Sequence, residues 1–195
     1  MAFRDAISKP SCAFALCFFS AFGWCGETIP SPPERVLHFP NDRSAGTLYL
    51  QERNIYGTPV WKEFGEARGA VPIPAGKSVR LWVRQNEIDR GLAALEALRP
   101  DDLQSLSLSS RHGFHDLLFI RLKGLTGLTE LRFHGCTGFQ GRGFGYLRDF
   151  SSLQSLDLTD TQVTDEVVPC LIPLSRLWNL SLGNTRITDA SVPFF

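Results

Sequence analysis

Leucine recurs three and then two positions apart throughout the second half of the chain. Leu153, Leu156 and Leu158 open the segment LQSLDLTDTQVTDEVVPCL, and Leu177, Leu180 and Leu182 open a second copy, LWNLSLGNTRITDASVPFF. Thr161 then aligns with Thr185, Val163-Thr164-Asp165 with Ile187-Thr188-Asp189, and Pro169 with Pro193. Two further copies precede these at nearly the same interval, LTELRFHGC from Leu128 and LQSLSLSSR from Leu103. A period in the twenties marks a stack of repeated units.

The spacing has a physical meaning. Side chains alternate faces along a strand, so Leu156 and Leu158 point inward while Ser155, Asp157 and Thr159 point outward. Arg111, Cys136, Thr161 and Thr185 occupy the position where the chain turns away from the strand. Thr164-Asp165 and Thr188-Asp189 offer side-chain oxygens to cap a short returning helix, and Pro169 and Pro193 fall in its first turn, where a missing amide costs little. Each unit is strand, turn and short helix. None buries its leucine row alone, so each must stack on a neighbour.

The four segments resemble leucine-rich repeat proteins. Thr-x-Val/Ile-Thr-Asp after the strand is similar to the subtype found in many bacterial repeat proteins and in F-box and ribonuclease-inhibitor-like repeats. The resemblance covers Leu103 to Phe195 and implies an α/β solenoid of about four repeats with parallel strands on a concave face. It further implies a scaffold for noncovalent binding. The first two units depart from the pattern: they lack the Thr-Asp cap and carry His-containing or Gly-rich turns.

Upstream the texture is β. Short strands are predicted at Val36–Phe39, Thr47–Gln51, Val60–Phe64, Ala70–Ile73 and Ser78–Val83. In the last, Val79, Leu81 and Val83 alternate with Arg80, Trp82 and Arg84. The turn residues Pro74-Ala75-Gly76-Lys77 predict a hairpin between the last two strands, and the whole suits a small antiparallel sandwich. Asn86 to Arg99 switches to helical spacing, with Ile88, Leu92, Leu95 and Leu98 on one side and Asn86 as cap. Pro100 stops this helix, which covers the open end of the first repeat. The expected division is 1–25 signal peptide, 26–35 linker, 36–85 small β module, 86–102 capping helix and 103–195 repeats.

That first segment differs from all that follows. Arg4 and Lys9 precede SCAFALCFFSAFGWC, and Gly26-Glu27 follow, the layout of a secretory signal. The apolar run is shorter than the roughly 20 residues of a membrane span. A buried N-terminal helix and an uncleaved anchor are the alternatives. Secretion would remove Cys12, Cys17 and Cys25, leaving Cys136 and Cys170 as packing residues with no metal or redox spacing.

Composition narrows the function. The chain has 20 basic and 20 acidic residues among 195 and no net charge, so it lacks the basic face that nucleic acid requires. Gly76-Lys77-Ser78 lacks the remainder of a phosphate loop. Gly141 to Gly145 lacks the strand–helix unit of a dinucleotide site. His112 and His115 offer one metal only two imidazoles and Asp116. Ser107, His134 and Asp157 could be drawn as a catalytic triad, but no nucleophile turn or oxyanion hole accompanies them. No enzyme, cofactor or metal is therefore expected.

What is left is the strand face. Ser105, Ser107 and Ser109 lead its outward columns. The binding residues expected on it are Glu130, Arg132, His134, Ser155, Asp157, Thr159, Asn179 and Ser181, facing a protein partner outside the cytoplasm. One alternative is a glycan or envelope ligand held by the β module through Tyr49, Tyr56, Trp61 and Trp82. Another is an F-box-like intracellular adaptor. Phe195 aligns with Leu171, so the fourth unit is left open and is a candidate surface for self-association.

Overall fold

A computed structural model describes residues 33–84, 88–109, 116 and 119–194. The expected signal segment, Asn86, Arg111, His112 and His115 lie outside them. The chain begins with β1 (Pro33–His38), β2 (Thr47–Arg53), β3 (Pro59–Glu66), β4 (Ala70–Pro74) and β5 (Val79–Arg84). After α1 (Ile88–Leu95) come β6 (Ser105–Ser109), α2 (Phe119–Leu122), β7 (Glu130–Arg132), β8 (Ser155–Asp157), α3 (Val168–Leu171) and β9 (Asn179–Ser181). Turns of 3-10 helix at Phe144–Asp149, Asp165–Val167 and Asp189–Phe194 complete the return segments. The fold is mixed α/β with short helices.

Among the described residues, one sheet holds seven strands in the order β3-β2-β5-β6-β7-β8-β9. From β5 onward every pairing is parallel, with Leu81, Leu106, Leu131, Leu156 and Leu180 in one continuous row. These leucines point into the core: the first four are fully buried, and Leu180 is half-buried. The period explains the register, since each strand returns one repeat length after the last.

The expected hairpin between β4 and β5 does not form. β4 pairs antiparallel with β1 in a separate two-stranded sheet, and β5 pairs antiparallel with β2 and parallel with β6. Gly76 makes the turn at φ 70°, so the turn residues are used, but to move the chain between sheets. Of the strands expected to make a self-contained sandwich, β2, β3 and β5 therefore continue the repeat sheet without a break, while β1 and β4 form the separate sheet. β1 starts at Pro33, inside the expected linker, because proline is tolerated at a strand's first residue. Arg35 anchors β1 to the start of the repeats, donating to Asp101 O at 2.9 Å and Gln104 Oε1 at 3.2 Å. The described residues from Pro33 onward cluster as one compact unit.

Of the two expected caps, that of the last unit forms, with Thr188 Oγ1 accepting from Ala190 N at 3.3 Å, and that of the unit before it does not. Thr164 makes no side-chain cap to its own helix. Asp165 serves the following unit instead, accepting from Thr188 N at 2.8 Å, Thr188 Oγ1 at 2.7 Å and the Ser191 hydroxyl. Asp116 does the same two layers earlier, its Oδ1 accepting from Gln140 N and Gly141 N. The turn position behaves as a small buried residue should. Thr161 is buried and donates to Leu158 O, while Cys136 is buried with Sγ 3.6 Å from Leu108 O. Beneath β7, the rings of Phe119, Phe133, Phe139 and Phe144 pack with centroids 4.9–5.5 Å apart. Trp178 is 76% exposed.

Candidate functional site: the outward face of the sheet

The strand register lines the outward residues into rows. One row runs Glu63, Tyr49, Arg80, Ser105, Glu130, Ser155, Asn179. The next runs Thr47, Trp82, Ser107, Arg132, Asp157, Ser181. Six of the expected binding residues, Glu130, Arg132, Ser155, Asp157, Asn179 and Ser181, thus share one face. His134 and Thr159 lie just past the ends of β7 and β8. The His134 ring stands 3.5 Å from Asp160, and Thr159 N donates to Asp157 Oδ1 at 3.0 Å. The drawn triad does not assemble, because Arg132 and not His134 stands between Ser107 and Asp157.

Glu130 is the hub. Its Oε2 accepts from Arg80 Nη2 at 2.6 Å and from the Ser105 hydroxyl at 2.7 Å, while Oε1 accepts from Arg132 Nε at 2.7 Å. Arg80 Nε also donates to Ser105 Oγ at 2.9 Å. Burial alone would raise the Glu130 pKa; the Ser105 hydroxyl and the Arg80 guanidinium outweigh it and hold the carboxyl below its ordinary range. Burial pulls Arg80 down and Glu130 resists this, so the guanidinium remains charged. A carboxylate given several donors is thereby fixed as an anion.

Next to this hub stands an aromatic group. The Arg80 guanidinium lies 4.2 Å from the Trp61 ring centroid, a cation–π distance. Tyr49 and Trp82 are tilted at 51° with centroids 6.2 Å apart. Tyr56 is elsewhere, exposed in the turn that joins β2 to β3. Three of the four aromatics assigned to a separate β-module site therefore belong to the same surface as the repeat strands.

The chain is similar over part of its length to an internalin from Listeria monocytogenes solved by crystallography. The two are 26% identical over 54% of this chain and 29% of that one, with a TM-score of 0.35. No family model matches the chain, and no curated protein is similar to it.

Arg80 and Trp82 were not among the residues expected on the strand face, yet the signal was present. Arg80, Leu81, Trp82 and Val83 stand one period before Ser105, Leu106, Ser107 and Leu108. The repeat phase, carried back one unit, places β5 in the array. Valine at the second core position and the absence of the leading leucine concealed it. Among the described residues, no cluster of three or more His, Cys, Asp or Glu side chains is placed to hold a metal ion, and no helix is long and apolar enough to cross a membrane.

Proposed function

We propose that this chain is a leucine-rich repeat solenoid of about four repeats that binds a protein noncovalently through the concave, outward face of its sheet. The observation carrying this is the seven-strand run of outward side chains, with Arg132 44% exposed beside the fixed Glu130 anion and aromatic rings further along the same face. Arginine and aromatic side chains are those that concentrate binding energy. The face holds complementary charges one strand apart, Arg132 and Asp157, which set register with a partner more than raw affinity. We place the protein outside the cytoplasm on the strength of the charged, apolar and small-residue order of the segment from Met1 to Cys25. Capture from a cell-envelope extract tests the binding reading. Intact chain should retain a partner that the Arg132→Ala, Asp157→Ala double variant loses; equal retention by both removes the reading.

Tyr49 and Trp82 favour a glycan as the second reading of the ligand, since paired rings can stack on a sugar. Oligosaccharide titration followed by tryptophan fluorescence separates the two. The half-buried Leu177, Leu180 and Leu182, with exposed Trp178 and Ile172, form an apolar edge suited to self-association. A mass that does not rise with concentration excludes it.

A further inference from the structure

We propose that the row Trp82–Ser107–Arg132 receives a polyproline-II segment of the partner, with a carboxylate side chain on Arg132 and an apolar side chain three residues away on Trp82 and Tyr49. This rests on the reading of the strand face as a protein-binding surface. Trp82, Ser107 and Arg132 are register partners on adjacent strands β5, β6 and β7. Strands lie about 4.8 Å apart, so the two ends of the row are separated by about 9.6 Å. A polyproline-II helix turns once in three residues with a rise of about 3.1 Å, so its same-facing side chains repeat at about 9.3 Å. The two spacings match. A β-strand laid across the sheet repeats its face at about 6.7 Å, which falls between strands. An α-helix brings a further side chain about 5–6 Å along, directly over Ser107.

The floor and the two ends fit such a ligand. Ser107, the residue between the two ends of the row, is small and half-buried, so among the described residues the row itself carries no bulky side chain between Trp82 and Arg132. A backbone can therefore approach closely. At one end Arg132 spends Nε and Nη2 on Glu130, and its Nη1 makes no hydrogen bond within the described chain. That leaves donors for a second carboxylate, the anion a guanidinium fork matches best. At the other end the tilted Tyr49–Trp82 pair gives an aromatic wall of the kind on which proline-rich segments dock.

The test uses the intact chain and two dye-labelled proline-rich peptides of equal length and composition. One carries leucine and glutamate three residues apart, the other two apart. Anisotropy titration should show the first binding about tenfold tighter. Arg132→Gln should reduce its binding about tenfold, and Ser107→Leu, which raises the floor without touching Glu130, should abolish it; circular dichroism of each variant verifies folding. Equal affinity for the two peptides, or binding of neither, overturns the proposal. If neither peptide binds while envelope capture still depends on Arg132 and Asp157, the polyproline-II claim falls and the protein-binding reading stands. If capture is also insensitive, both fall.

Discussion

Arg80 and Glu130 are 50 residues apart in the chain and 2.6 Å apart in the fold. The interval is two repeat periods, so the ion pair spans β6 and passes over Ser105, which is fully buried and bonded to both. Only a small residue at position 105 lets the guanidinium cross. Replacing Glu130 with alanine leaves Arg80 largely buried without its counterion, and it should cost about 1–3 kcal/mol. Chemical denaturation of Glu130→Ala, with Ser155→Ala as a neighbouring control of small effect, measures this.

Acid should loosen the fold through the same group. Glu130 has a folded pKa below its unfolded value, which is about 4.3. Its contribution is therefore complete above the unfolded value and is lost as the pH falls through the folded one. Asp165, lowered by the Ser191 hydroxyl and by Thr188, has the same sign. Stability measured from pH 6 downward should decline below about pH 4, and Glu130→Gln should show a shallower decline. Identical slopes would mean that Glu130 is not the titrating group.

The Asp165 carboxylate joins the last two units without belonging to the helix it begins. Asp165→Ala removes the acceptor for Thr188 N, Thr188 Oγ1 and the Ser191 hydroxyl. Amide exchange at Thr188 should accelerate while exchange in β5 and β6 stays unchanged, because neighbouring units couple only to each other. Uniform acceleration across the sheet would contradict a local latch.

Gly141 stands at φ 92°, and a Cβ there would run into the Val167 side chain and the Phe144 ring. Gly141→Ala combines strained backbone with a clash between adjacent layers, and it should lower stability by about 1–3 kcal/mol. Gly145, which has open space around its missing Cβ, should accept alanine with little change. The contrast between the two thermal midpoints is the measurement.

The parts of this fold that were legible from sequence are those that repeat. Leu106, Leu131, Leu156 and Leu180 announce themselves by period, and their alternation fixes which neighbours face outward. Ser155, Asp157, Asn179 and Ser181 followed directly. Pairing between strands of unlike sequence was not legible. Gly76-Lys77 makes an ordinary turn whether its flanking strands pair or part, so the β4–β5 hairpin was a natural expectation and the divergence of the two strands was not. Nor did local pattern show that Tyr49 and Trp61 lie alongside Arg80, since that depends on β2 and β3 joining the repeat sheet. The Asp165 contact was half visible: a capping residue type was evident, but its beneficiary lies 23 residues onward.

β5 has one antiparallel and one parallel neighbour, so the hairpin of β2 and β3 hands its geometry to the repeats through a single strand. The junction gives assembly a direction. A local hairpin closes first, and every later strand needs only a partner some two dozen residues behind it, so loop closure stays cheap from one addition to the next. Damage near β9 should then cost one layer, whereas damage to β5 removes the template on which all the others are laid.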